Sequence, residues 1–137
     1  MEGNKEPRGS LVLRTLAMPA DTNPAGDIFG GWIMSQMDIA GGIMARELTG
    51  TRIVTVAVES ITFIKPVWVG DVVCCYGDIV RIGTTSVTVN LEVWVKPSMN
   101  KPDSTVAKFQ VTKAAFTYVS VDAEGQKLVI QRKENDI

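Results

Sequence analysis

FGGWIMSQMDIAGGIMARELTG, residues 29–50, decides the fold. Its apolar side chains recur at Trp32, Ile33, Met37, Ala40, Met44 and Leu48, the spacing of one helical face. Gly50 stands where a helix takes a left-handed C-terminal cap. The spacing predicts a helix of roughly 18–20 residues, about 28 Å long. No other segment reads convincingly as a helix.

Upstream of the helix, LVLRTLA (11–17) alternates as a strand does, and MPADTNPAGD (18–27) is a loop broken by Pro19, Pro24 and Gly26. Downstream, four strand-like segments follow at 52–67, 71–82, 84–95 and 106–121. The third alternates cleanly, with Val87, Val89, Leu91, Val93 and Val95 on one face and Thr88, Asn90, Glu92 and Trp94 on the other. The fourth changes phase near Lys113, which predicts a bulge. Short connections favour antiparallel neighbours. A ten-residue strand spans about 33 Å, which matches the helix. The expected class is therefore α+β: a curved antiparallel sheet of five or six strands wrapped around one long central helix, the hotdog architecture. The domain is expected to span residues 10–122. Residues 1–9 read as a disordered N-terminus and 123–137 as a C-terminal tail.

Composition excludes several classes of chemistry. The chain holds 14 Lys and Arg against 15 Asp and Glu, so nucleic acid is not the expected partner. No apolar run reaches the length of a membrane span. The opening MEGNKEPRGS lacks the apolar stretch of a secretory signal. Cys74 and Cys75 are adjacent, point to opposite faces of a strand, and suit a reducing compartment, so a cytoplasmic location is expected. There is no histidine, which excludes Ser-His-Asp and Cys-His catalysis and removes the commonest transition-metal ligand. No metal site and no separate cofactor are expected. Chemistry is left to carboxylates, amides, hydroxyls and the backbone.

Three features of DTNPAGDIFGGWIMSQMD (21–38) have chemical potential. Gly30-Gly31 opens the helix, where unpaired N–H groups and a partial positive charge can polarise a carbonyl. A glycine pair serves close helix–sheet packing equally well. Asp38 is the only ionisable residue between Phe29 and Ala45. Its helical neighbours Met34, Gly41, Gly42 and Ala45 include small residues that leave room beside a carboxylate. Partial burial makes such a carboxylate a better base. A solvated stripe through Ser35, Asp38, Gly42 and Arg46 is the competing reading. Asn23 offers an amide that donates to a carbonyl and accepts from water, or is simply a turn residue. Gly31 and Asp38 lie roughly 10 Å apart along one helix. If both serve one reaction, they come from two protomers meeting at a two-fold axis.

RTLAMPADTNPAGDIFGGWIMSQMD, followed by VTVAVESITFIKPVWVGDVV and GTTSV, closely resembles the YciA-type bacterial acyl-CoA thioesterases of the hotdog-fold acyl-CoA hydrolase family. The resemblance runs from about Leu11 to Asp122. It implies hydrolysis of acyl-CoA to a free fatty acid and coenzyme A. Asp38 would be the catalytic base or nucleophile, Asn23 of the other protomer would orient water or substrate, and the Gly30-Gly31 backbone would polarise the carbonyl. It also implies that Val56-Ala57-Val58 and Thr85-Ser86-Val87 line the coenzyme A site, and that the chain assembles as a trimer of dimers. The coenzyme's phosphates call for basic residues at its entry. Lys65, in the shared FIKPV segment, is the best candidate, ahead of Arg81 and Lys96. The alternative function is a non-catalytic module that binds or senses acyl-CoA on the same fold.

Overall fold

The computed structural model describes residues 6–98 and 107–131. Five strands and one long helix follow the order β1 (Ser10–Leu16), a short 3-10 turn (Pro19–Asp21), α1 (Gly30–Thr49), β2 (Arg52–Phe63), β3 (Val72–Ile82), β4 (Ser86–Lys96) and β5 (Phe109–Val121). All strand pairs are antiparallel, in the spatial order β1-β3-β4-β5-β2. Among the described residues the sheet thus has five strands, with β1 and β2 at its edges.

Helix α1 lies across the inner face and touches every strand. Its buried side, Ile33, Met37, Ala40, Gly41 and Ala45, follows the helical repeat. Gly50 closes it at φ +68°, donating its N–H to Arg46 O at 2.8 Å. The opposing wall is the central strand β4. Val87, Val89, Leu91, Val93 and Val95 are at most 1% exposed.

The strand alternation continues on the outer face, but there too some residues are covered. Trp94 and Glu92 are buried, and the Trp94 indole N–H donates to Glu92 Oε1 at 2.8 Å. The Arg8 N–H reaches the same oxygen at 3.3 Å. Within the segment expected to be disordered (1–9), Arg8 is therefore held against the sheet, because a buried carboxylate needs donors. Residues 1–5 lie outside the described residues. Residues 123–131 also do more than trail away from the domain. The chain turns back at Gly125, Leu128 N–H donates to Ser120 O, Ile130 N–H donates to Thr84 O, and the Ile130 side chain is buried. Residues 132–137 lie outside the described residues.

Two connections are fixed by buried polar groups. Asp71, 1% exposed, accepts the Trp68 N–H at 2.9 Å and the Ser98 N–H at 3.0 Å, which pins the turn into β3. The bulge in β5 sits at Val111: Val93 pairs with Thr112 while Trp94 pairs with Gln110. This is two residues before Lys113, where the phase change placed it. Cys74 and Cys75 are both free and buried. Burial pushes the Cys75 thiol up to about 12.

Candidate active site

Helix α1 carries two chemically distinct places. At its N-terminal end a cavity of about 360 Å³ is lined by Asn23, Gly30, Ile33, Phe63, Lys65 and Val111, among others. The other place is Asp38, two turns further along, which does not line this cavity. Gly30 and Asp38 are eight residues apart, or about 12 Å along the helix axis.

The loop before α1 is built by Asn23. Its side-chain Oδ1 accepts the Ala25 N–H at 2.9 Å, and its backbone exchanges bonds with Asp27 and Gly26. Asn23 is thus a turn residue. Because Oδ1 is taken by the turn, the orientation of the side-chain amide is fixed, leaving its NH₂ to act as donor. Gly30 is the first residue of the helix, and a Cβ there would come 3.3 Å from the Phe63 ring. A Cβ at Gly31 would meet nothing within 4 Å, so the helix start is open to an approaching group on that side. Lys65 is exposed at the rim, its Nζ 4.7 Å from the Phe109 ring centroid. Arg81 and Lys96 are exposed elsewhere and do not line the cavity.

Asp38 is half-buried, between the exposed Ser35 and Ile39 and the buried Gly41 and Ala45. Its Oδ1 accepts a hydrogen bond from Thr55 Oγ1 at 2.7 Å. That bond removes it from a purely solvated stripe. Among the described residues no lysine or arginine pairs with this carboxylate, and the Tyr118 hydroxyl lies close to it. The room that Gly41 was expected to leave beside the carboxylate is occupied. The Tyr118 hydroxyl fills the notch at Gly41 and donates to the Asp38 backbone carbonyl at 3.0 Å.

Thr55 was not legible in the sequence. In RIVTVAV it is one more β-branched strand former, although it lies one repeat of two after Ile53, which packs on the helix side. Strand β2 is irregular here. Its register against β5 shifts between Thr55 and Ala57 and again between Glu59 and Thr62. Val56 and Val58 are exposed on this free edge, and Ala57 is half-buried. Thr85 and Ser86 sit at the turn into β4. Gly83 N–H donates to Ser86 O, and Ser120 N–H donates to Thr85 O. Val87, grouped with them as a ligand-lining residue, is 1% exposed and paired with Tyr118. Its side chain belongs to the core, because it continues the inward alternation of β4.

Among the described residues no group of three metal-binding side chains converges, and no helix is long and apolar enough to cross a membrane.

Residues 25–101 match the family model of the thioesterase superfamily. The acyl-CoA thioester hydrolase YciA of Escherichia coli strain K12 is 60% identical over 120 residues, covering 88% of this chain and 89% of that protein. A solved hexameric broad-specificity acyl-coenzyme A thioesterase superposes with a TM-score of 0.88 at 53% identity, over 96% of this chain and 87% of that one. A hexameric hotdog-fold thioesterase of Campylobacter jejuni gives a TM-score of 0.84 at 45% identity, over 90% of this chain and 91% of that one. A long helix on a curved five-stranded sheet, a glycine-opened helix start and a carboxylate with no lysine or arginine on it among the described residues are thus seen in a chain that belongs to the thioesterase superfamily, among the YciA-type acyl-CoA thioester hydrolases.

Proposed function

We propose that this chain hydrolyses acyl-CoA thioesters with Asp38 as the carboxylate that acts on the reacting centre. The observation that carries this reading is the state of Asp38. It is anchored at Oδ1 by the neutral Thr55 hydroxyl, the Tyr118 hydroxyl lies close by, and among the described residues no lysine or arginine is paired with it. With no lysine or arginine on it among the described residues, this half-buried carboxylate stays accessible to a reacting group.

The thioester carbonyl accepts N–H bonds at the start of α1, around Gly30 and Gly31, where the helix dipole favours developing negative charge. Asp38 of the partner protomer takes a proton from water as the water oxygen attacks that carbonyl. The tetrahedral intermediate then collapses, the C–S bond breaks, and the coenzyme A thiolate leaves and is protonated. In the nucleophilic variant Asp38 attacks directly, and water hydrolyses the resulting anhydride. Asn23, with its amide orientation set by the turn, orients the water or the substrate. Two protomers are needed because the helix start and Asp38 are too far apart within one chain. The long free edge of β2, with Val56 and Val58 exposed, fits pairing with a second copy. A trimer of dimers extends that pairing. Val56, Ala57, Val58, Thr85 and Ser86 line the coenzyme site, Lys65 meets its phosphates, and the enzyme works in the cytoplasm.

The test is thiol release from acyl-CoAs of graded chain length, wild type against Asp38→Asn. The substitution is expected to lower kcat by roughly 10²–10⁴-fold while coenzyme A still binds. Wild-type turnover in the variant rejects the assignment. Single-turnover incorporation of labelled water oxygen into Asp38 separates nucleophile from base.

A further inference from the structure

We infer that Tyr118 is a positioning residue for Asp38, its buried hydroxyl holding the helical turn that carries the carboxylate. The inference rests on the reading of Asp38 given above and adds a residue to it.

Thr55 on β2 and Tyr118 on β5 are direct cross-strand partners. Partners in an antiparallel ladder present their side chains on the same face. Here that face is the one covered by α1, and both hydroxyls reach the same residue. The Thr55 hydroxyl donates to the Asp38 carboxylate at 2.7 Å, and the Tyr118 hydroxyl donates to the Asp38 backbone carbonyl at 3.0 Å. Asp38 is therefore held at both ends by adjacent strands. The register of β2 shifts immediately after Thr55, so this is the last pair in phase before the bulge.

The contact is built from both sides. Tyr118 is 1% exposed, and its ring stacks on Phe116 with centroids 6.4 Å apart. On the helix, Gly41 leaves the notch that the hydroxyl enters. A Cβ at Gly41 would clash with the Tyr118 oxygen and with Leu91. The Asp38 carbonyl already lies within the hydrogen-bonded run of α1, so the helix does not need this donor. What the extra bond adds is a fixed distance between the turn at Asp38 and the sheet. Burial and the nearby carboxylate push the Tyr118 hydroxyl up, so it stays protonated and acts only as a donor. It orients Asp38 and moves no proton itself.

The test is a kinetic cycle on the full chain, following thiol release from hexanoyl-CoA. Tyr118→Phe removes one oxygen and keeps the ring. It is expected to lower kcat roughly five- to tenfold with KM held within about twofold. In the Asp38→Asn background the same change is expected to lower the residual rate no further. Gly41→Ala, which presses on the hydroxyl from the helix side, is expected to show the same split between kcat and KM. It supplies a second reading should Tyr118→Phe not fold. Wild-type kcat in a folded Tyr118→Phe, or an equal proportional loss in both backgrounds, overturns the role of Tyr118 and leaves that of Asp38 intact. Wild-type turnover in Asp38→Asn overturns both.

Discussion

Strands β2 and β4 are nearly equal in length and both rich in β-branched residues, yet the sheet uses them in opposite ways. β4 is paired on both sides, and its inward residues from Val87 to Val95 are at most 1% exposed. β2 is paired on one side only, shifts register twice, and leaves Val56 55% and Phe63 48% exposed. Ser60, in its second irregular stretch, adopts a left-handed φ of +57°. The regular strand makes the core. The irregular one brings Thr55 to Asp38 and presents a free edge. Regularity follows burial on two sides, because each inward residue of β4 must fill a fixed gap under α1. An edge strand is free to bulge, and the register of β2 breaks just after Thr55, the residue that meets the helix.

This contrast is open to attack at several points. The largest expected effect is on β4. Leu91→Ala removes a fully buried side chain opposite Gly41 and is expected to destabilise the fold by about 2–5 kcal/mol in denaturant unfolding. A cost below about 1 kcal/mol would show that the two strands do not differ as described. The middle effect is on β2. Thr55→Val keeps the shape and deletes the hydroxyl to Asp38. It is expected to lower kcat roughly 10–100-fold, the range for a hydrogen bond to a charged group, with stability changed by less than about 1 kcal/mol. A loss of stability with unchanged kcat would place Thr55 among the packing residues. The smallest effect is at Ser60. Ser60→Gly relieves a left-handed backbone and is expected to stabilise by about 0.5–1 kcal/mol, read as a shift in the unfolding midpoint. Destabilisation would mean that the Ser60 side chain holds the bulge in place.

The helix shows how far a sequence can be read. Residues 29–50 predicted it, and it runs from Gly30 to Thr49 with Gly50 as its cap, because apolar spacing and a glycine stop are local signals. The alternation of β4 was equally plain. In the structure the same alternation puts the Val87 side chain in the core with Val89 and Leu91. Asp38 stood out as a single charge in an apolar stretch. Thr55 did not, because nothing in RIVTVAV marks one β-branched residue over another. Tyr118 read as part of an alternating strand, and Gly41 as room for the carboxylate. Only the packed structure shows that the one fills the other.

Local chemistry in the sequence was enough to read the helix, the strands and the class of fold, and it singled out Asp38 as a lone charge whose proposed role came from the family resemblance. Each depends on neighbours a few residues away. The tertiary structure alone decided what grips that carboxylate. Thr55 lies 17 residues from Asp38 and Tyr118 lies 80 residues from it. Contacts at that separation depend on strand order and register, with β5 laid beside β2 and a bulge between their pairs. No local pattern encodes which two hydroxyls a folded sheet will bring side by side.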